Sequence, residues 1–510
     1  MSAPAPIKRD ATLSQFAQPF TPREAAVVDV GSNSVRLVTY RIEGRALTPF
    51  LNEKVMAGLG RGLAQTGRLS PEGAKEALSA LRRFRTLLDG LGVRSVQAVA
   101  TAAVRDAEDA PEFLERVRQE AGLPLRVISG PEEARLSALG VMAGAADAVG
   151  VVGDLGGSSL ELVRLSPEGP QGGESFPLGP LALMRSGADL ESASARIEIA
   201  LALSEPLAGA PGGAFYAVGG AWRALGRIDI ALRSHPLEVL HHHEIARSDV
   251  LRLTEFVRKA SRKQLERFGD AAAKRAETLP LAALVLERIL RVGGFEQVVL
   301  SSYGLREGLL FDALPLEARS QDPLVAGAAA FGAAAPRARA FGAALCAWIA
   351  EAVETAPPAF GLERDRILRQ AACLMADVGG VLHPEQRRET IFDLVLRAPF
   401  AGVSHAERVY LATMLHHRYS KTPPDAGLHP SLGLLHPGQR SVAAAVGAGL
   451  RLGADLSGRC ASLLQDFRLE VDGPVVKLSG SPTRAHLITE MVNRRLEAFS
   501  EALAAACASA

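Results

Sequence analysis

"VVDVGSNSVRLV", Val27–Val38, and "VVGDLGGSSLELV", Val151–Val163, are the stretches on which the reading of this chain turns. Each places apolar, largely β-branched residues on both sides of four small residues, a pattern that predicts a strand, a tight turn and a second strand. Aligned, Asp29 falls on Asp154, Gly31 on Gly156, Ser34 on Ser159, and Leu37-Val38 on Leu162-Val163. The shared Asp-x-Gly-x-x-Ser-apolar frame points to an internal duplication. Two similar lobes would then face each other across a cleft.

The spacing has chemical consequences. If Gly157-Ser158 form a two-residue turn, glycine at its first position suits type II′. The strands then pair Gly156 with Ser159, Leu155 with Leu160, and Asp154 with Glu161. Opposed residues share a face, with Cβ atoms about 4.5–5.5 Å apart, so two carboxylates would sit side by side. Like charges so placed repel unless a cation joins them, and Mg²⁺ suits one or two carboxylates together with substrate phosphates. In the first copy the same rule pairs Asp29 with Arg36, which is self-neutralising. Asp154 and Glu161 are therefore the expected metal side. The turns Gly31, Ser32, Asn33, Ser34 and Gly156, Gly157, Ser158, Ser159 are the expected phosphate-binding backbone. The plainer alternative is two ordinary hairpins, each Asp bonding its own turn. The duplication and the unbalanced carboxylate pair weigh against it.

The chain has 510 residues, 48% hydrophobic and 22% charged, with a formal net charge of +1. That length suggests about three domains, and the charge argues against a globally basic nucleic-acid binder. Cys346, Cys373, Cys460 and Cys507 lie far apart without metal-like spacing, which suits free thiols in a reducing compartment. Residues 1–22 read as a loose tail without a continuous apolar signal region. Leu324–Pro336 is apolar but short of the roughly 20 residues that span a bilayer. A cytoplasmic protein without membrane partners is expected.

From Arg23 to about Leu310 strands alternate with helices. Val27–Val30, Val35–Tyr40, Val96–Ala100, Leu125–Ser129, Val151–Asp154, Leu160–Leu165, Phe215–Val218 and Gln297–Leu300 read as strands. Ser70–Leu88, Ala110–Glu120 and Pro131–Gly144 carry helical spacing. Beyond about Leu316 helices dominate, apart from a hairpin at Phe467–Lys477. The expected organisation is α/β: a first lobe over 23–139, a second over 140–315, and a helical region over 316–510.

In "VISGPEEARL", Ser129 and Glu132 fit a capping box, leaving Glu133 over. A carboxylate beside a phosphate site can orient and deprotonate water, although an acid in a first turn commonly only complements the helix dipole. Arg105, in "ATAAVRDAED", could clamp a phosphate with its fork or pair with Asp106 or Glu108 at the surface. Gly219-Gly220 join a strand to a helix, a place suited to an anion. His241-His242-His243-Glu244 point different ways on any regular element, against a metal site. The basic run Arg252–Arg275 reads as a solvated face before a polyanion track.

Taken in order, "DVGSNSVRLV", "TAAVRDA", "VISGPEEARL", "GDLGGSSLELV", "AVGGAWRAL" and "SSYGLREGLL" resemble the exopolyphosphatase / guanosine pentaphosphate phosphohydrolase family, over about Glu24 to Asp312. That family belongs to the sugar kinase–Hsp70–actin fold group. The resemblance implies two ribonuclease-H-like lobes and Mg²⁺-dependent release of terminal phosphate from inorganic polyphosphate. It puts the catalytic glutamate on Glu133, the motif arginine on Arg105 and the cation carboxylates on Asp154 and Glu161. It also implies a homodimer. Guanosine pentaphosphate is the alternative substrate, and a non-catalytic sensor of guanosine tetraphosphate or polyphosphate the alternative of a different class.

There are departures from the family's pattern. Ser158 replaces the third glycine of the second loop. "CLMADVGGVLHP" and "LHHRYS" resemble parts of an HD-like helical domain, but Ala376 stands where the HD histidine would be, leaving Asp377 alone. Instead of a second metal centre, this region is expected to bind a polyanion through Arg387, Arg388, His416, His417 and Arg418, or to pair subunits.

Overall fold

The repeat in sequence is a repeat of topology. In the computed structural model, which describes residues 20–185, 190–208, 213–332, 337–472 and 475–509, strands β1 (Arg23–Val30), β2 (Val35–Glu43) and β3 (Ala46–Val55) form an antiparallel meander. β4 (Ser95–Ala100) and β5 (Arg126–Val127) extend it in parallel, in the order β3-β2-β1-β4-β5. The second sheet begins with the same meander: β6 (Gly150–Leu155), β7 (Leu160–Ser166) and β8 (Gly169–Phe176). With β9 (Ala214–Val218), β10 (His243–Ala246) and β11 (Gln297–Leu300) its order is β10-β11-β9-β6-β7-β8, and β9 and β11 run parallel to β6. Most of the expected N-terminal tail lies outside the described residues.

Three strands, β3, β8 and β10, were not anticipated from sequence, and all three are sheet edges. An edge strand pairs on one side only, so it tolerates the Pro49 of β3 and the glycines of β8 that blur a strand signal.

Helices α1 (Pro71–Leu91) and α2 (Ala110–Ala121) bury Leu78, Leu81, Phe84, Phe113 and Val117 against the first sheet. Helix α3 (Gly130–Gly144) packs Ala134, Ala138 and Val141 on Val152, Val163 and Tyr216 of the second. The expected divide at 139/140 therefore falls inside a helix whose apolar face belongs to the second lobe. On the other face of that sheet, α4 (Gly220–Leu232) and α5 (Leu279–Gly293) contribute Trp222, Leu225, Ile228 and Leu284 to a core with Val151, Leu160 and Phe215. Helix α6 (Leu305–Asp312) lies on α3 backbone to backbone. A Cβ on Gly308 would fall 1.8 Å from the Leu136 oxygen, and one on Gly140 2.1 Å from the Gly304 oxygen. That approach requires glycine, and it carries α6 residues to the cleft.

Pro22–Ser320 is one compact unit, and the chain from Gln321 onward is another. The second contains α7 (Ala338–Val353), α8 (Leu362–Leu374), α9 (Arg387–Arg397), α10 (His405–Tyr419), α11 (Pro437–Ser457) and α12 (Glu490–Ala508). The hairpin read from sequence is present as β12 (Phe467–Asp472) and β13 (Val475–Gly480). No described helix is long and apolar enough to cross a membrane, and all four cysteines are free thiols.

Candidate active site

Both turns are built alike. The Gly31 N–H donates to the Ser34 oxygen at 3.0 Å, and the Gly156 N–H donates to the Ser159 oxygen at 3.0 Å. In each, a neighbouring segment pins the carbonyls. Ser32 and Asn33 oxygens accept from Gly60 and Gly58 at 2.8 and 3.0 Å, and Gly157 and Ser158 oxygens accept from Leu181 and Gly179 at 2.8 and 3.2 Å. The N–H groups of Ser32, Asn33, Gly157 and Ser158 have no acceptor among the described residues. Successive open amides of this kind suit an anion. The two turns face each other: a Cβ on Gly157 would lie 3.9 Å from that of Asn33.

The type II′ turn is not formed, because Gly157 lacks the positive φ it requires. The physical reason is external support: Gly179 approaches so closely that its Cβ would lie 2.3 Å from the Ser158 carbonyl carbon. At the third loop, Gly219 has φ 110°, and a Cβ there would lie 2.4 Å from the Leu155 oxygen. Only glycine fits there.

Asp154 and Glu161 are cross-strand partners, in the register read from sequence. Asp154 Oδ2 accepts from the Ser137 hydroxyl at 2.5 Å, and Glu161 Oε1 from the Ser175 hydroxyl at 2.8 Å. Ser137 lies one turn after Glu133 on α3, so one helix face carries both. Glu133 meets Arg105 at 3.2 Å, and Arg105 also bonds the Ile128 carbonyl at 3.2 Å and Asp106 at 3.3 Å. Burial, then repulsion from Glu161 and Asp154, pushes the Glu133 carboxyl well above its usual range, with Arg105 pulling it back. Glu161 is pushed up to about 7 by burial and by Asp154. Burial also raises Asp154, against the Ser137 hydrogen bond. The three acids lack enough nearby positive charge to hold them all ionised.

Two local expectations need correction. Asp29 and Arg36 do oppose each other in register, but the ion pair to Asp29 comes from Arg306 of α6 at 3.2 Å, while Arg36 Nε reaches Asn52 on β3 at 2.8 Å. The Ser129 hydroxyl does accept from the Glu132 N–H at 3.3 Å. The Glu132 side chain, however, pairs with Arg126 and does not close a capping box.

Sequence reasoning missed the basic side of the cleft. Arg36, Arg223, Arg275 and Arg306 all lie within electrostatic reach of Lys54: burial and these neighbours hold Lys54 down to about 8, and burial, Arg306 and Arg36 hold Arg223 down to about 10. Arg36, Arg223 and Arg306 stood inside the quoted motifs and could have been flagged. Arg275 was hidden in the basic run. There Arg252, Arg258, Lys259 and Arg262 pair with acids, whereas the Arg275 guanidinium would be 2.8 Å from a Cβ on Gly220.

The other histidine and arginine candidates are scattered. His243 meets Asp229 at 2.8 Å and His242 meets the Gly144 carbonyl at 3.0 Å. In the C-terminal unit Arg388 pairs with Glu389 at 2.7 Å. Arg387 donates to the Leu382 carbonyl at 3.1 Å. Both His416 ring nitrogens are engaged, by the Arg388 and Thr422 carbonyls at 2.9 and 3.0 Å. Burial holds His417 down to about 4, so it is neutral. Arg418 is buried. Asp377 is paired with Arg459 at 2.9 Å.

The model of the Ppx/GppA phosphatase family matches residues 38–317, and that of the exopolyphosphatase C-terminal region matches residues 333–507. Exopolyphosphatase 1 of Mycobacterium tuberculosis is 29% identical over 312 residues, which cover 57% of this chain and 88% of that protein. Its namesake from Mycobacterium leprae is 28% identical over 312 residues, covering 57% and 90%. The Aquifex aeolicus Ppx/GppA family member superposes with a TM-score of 0.51 at 26% identity, covering 57% of this chain and 97% of its own. An exopolyphosphatase from Cytophaga hutchinsonii shares the fold, with a TM-score of 0.53 at 24% identity over 57% of this chain and 98% of its own. A family model that spans more than half of the chain makes the protein a member of the Ppx/GppA phosphatase family, a phosphoanhydride hydrolase.

Proposed function

We propose that the protein is an exopolyphosphatase that holds the end of an inorganic polyphosphate chain between the two turns and hydrolyses its terminal phosphoanhydride. The observation that carries this reading is the pairing of open turn amides with a buried acid cluster in one cleft. The amides and the arginines would bind phosphate oxygens.

The acid cluster suits a hard divalent cation such as Mg²⁺, since Asp154 and Glu161 offer oxygen donors on one face and are short of compensating charge. When bound, Mg²⁺ would neutralise charge that develops on the phosphate oxygens. Glu133 accepts a proton from the attacking water as its oxygen bonds to the terminal phosphorus. The bridging P–O bond breaks, and the shortened chain leaves with that oxygen. Burial and the neighbouring Glu161 and Asp154 raise the proton affinity of Glu133, which strengthens it as a proton acceptor. Arg105, bonded to Glu133, orients the carboxylate.

The test is phosphate release from polyphosphate and from guanosine pentaphosphate, side by side, with and without Mg²⁺. Mg²⁺-dependent release from polyphosphate is the expected result. Faster release from guanosine pentaphosphate would reassign the substrate, and release from neither would favour a sensor.

A further inference from the structure

Two cysteines that lie far apart in sequence meet inside the C-terminal unit. Cys346 is on α7 and Cys373 on α8, and they are 6% and 1% exposed. The two helices touch where Gly342 leaves room: a Cβ there would be 2.8 Å from the Cys373 oxygen and from the Leu374 Cα. Cys346 follows Gly342 by one turn, so it lies on the face of α7 that meets Cys373, and a hydrogen bond joins the two thiols. A guanidinium completes the cluster. Arg369, one turn before Cys373 on α8 and itself buried, bonds the Cys346 sulfur and pairs with Glu354 at 2.7 Å.

The two sulfurs differ in character. Cys346 accepts both hydrogen bonds. The Cys373 thiol, and then the Arg369 charge, hold it down to about 7 against burial. Burial and the same contact push the Cys373 thiol well above its usual range. A thiolate beside a cation is the reactive form of cysteine, and a second thiol in contact with it can resolve its oxidised product. Two sulfurs facing a guanidinium do not make a metal site, which takes about four ligands and no competing cation.

We propose that Cys346 and Cys373, with Arg369 activating Cys346, are a site of reversible disulfide formation by hydrogen peroxide that clips α7 to α8. Burial favours this oxidant, which is little larger than water, over bulky disulfides. The Cys346 sulfur attacks one peroxide oxygen. An S–O bond forms, the O–O bond breaks, and the leaving hydroxide takes up the proton that Cys346 gave up. The Cys373 sulfur then attacks the Cys346 sulfur. The S–S bond forms, the S–O bond breaks, and hydroxide leaves as water with the Cys373 proton. Peroxide gains the two electrons that the thiols lose. The site stands independently of the exopolyphosphatase reading.

Peroxide treatment of the folded full chain, followed by acid quench, alkylation and peptide mass mapping, tests this. A Cys346–Cys373 linked peptide, lighter by two hydrogens and released by dithiothreitol, is expected. In Cys373→Ser, dimedone should capture a sulfenic acid on Cys346. Arg369→Gln, which leaves Glu354 its Arg366 partner at 3.2 Å, should slow loss of the Cys346 thiol about tenfold. The wild type alone can overturn the proposal: Cys346 and Cys373 would stay reduced while the exposed Cys460 and Cys507 are oxidised, or would be linked to those cysteines instead of to each other. Oxidation of Arg369→Gln at the wild-type rate would also overturn it.

Discussion

The two hairpins share a backbone and differ in one cross-strand partner. Opposite Asp29 stands Arg36, and Arg306 adds an ion pair at 3.2 Å. Opposite Asp154 stands Glu161, and the close contact of Asp154 is a serine hydroxyl. Duplication thus supplied the open turn amides twice, while the exchange of an arginine for a glutamate left only the second copy acidic. A balanced pair stabilises the empty protein. An unbalanced pair destabilises it until a cation arrives.

The largest expected effect tests what the acidic copy is for. Glu133→Gln keeps shape and hydrogen bonding but cannot take a proton, so kcat for phosphate release should fall by about 10²–10⁴-fold. Glu132→Gln, whose side chain pairs with Arg126, should leave kcat nearly unchanged. If the two exchanged behaviour, the base would be the wrong glutamate.

Next comes a contrast of sign. Asp29→Asn removes the ion pair to the buried Arg306, which keeps Glu307 and Tyr40 beside it, and should lower the melting temperature of the metal-free protein by several degrees, about 1–3 kcal/mol. Asp154→Asn removes one of two repelling acids and should raise it. Calorimetry in EDTA reads both, and shifts of the same sign would break the comparison.

A smaller effect follows from Glu161, whose carboxyl is pushed up to about 7. Its ordinary value is about 4.3, so the fold favours its protonated form. That contribution to stability is complete below the unfolded value and is lost as pH rises through about 7. The metal-free protein should therefore melt lower at pH 8 than at pH 5.5 through this group, and added Mg²⁺ should raise the melting temperature more at pH 8. An equal Mg²⁺ response at both would remove the acid pair from consideration.

The smallest effect concerns Lys54, held down to about 8 by burial and its basic neighbours. Above that pH it loses its charge, so KM for polyphosphate should rise a few-fold, and Lys54→Ala should abolish the rise. A KM profile unaltered by the substitution would take Lys54 out of the binding surface.

Much of this was legible in the sequence because it rests on short-range rules. A strand period of two and a four-residue turn are enough to put Asp154 opposite Glu161, and interior strands announce themselves through unbroken apolar runs. The edge strands β3, β8 and β10 do not, as the proline of β3 and the glycines of β8 show, although the edge strand β5 was read within Leu125–Ser129. What escaped depends on distant packing. Arg306 reaches Asp29 because glycines let α6 rest on α3, and Ser137 reaches Asp154 because α3 lies on the second sheet. The turn type failed because Gly179 and Leu181 hold the loop from outside. No local pattern around Gly157 records those contacts.

The most direct measurement is the Mg²⁺ dependence of phosphate release from polyphosphate, compared for the wild type, Asp154→Asn, Glu161→Gln and Asp29→Asn. Losing a carboxylate ligand should raise the half-saturating Mg²⁺ concentration about tenfold or more in the two second-hairpin variants. Asp29→Asn should leave it unchanged, whatever it does to the rate. Equal Mg²⁺ dependence in all four proteins, or a shift confined to Asp29→Asn, would contradict the assignment of the cation to the second hairpin.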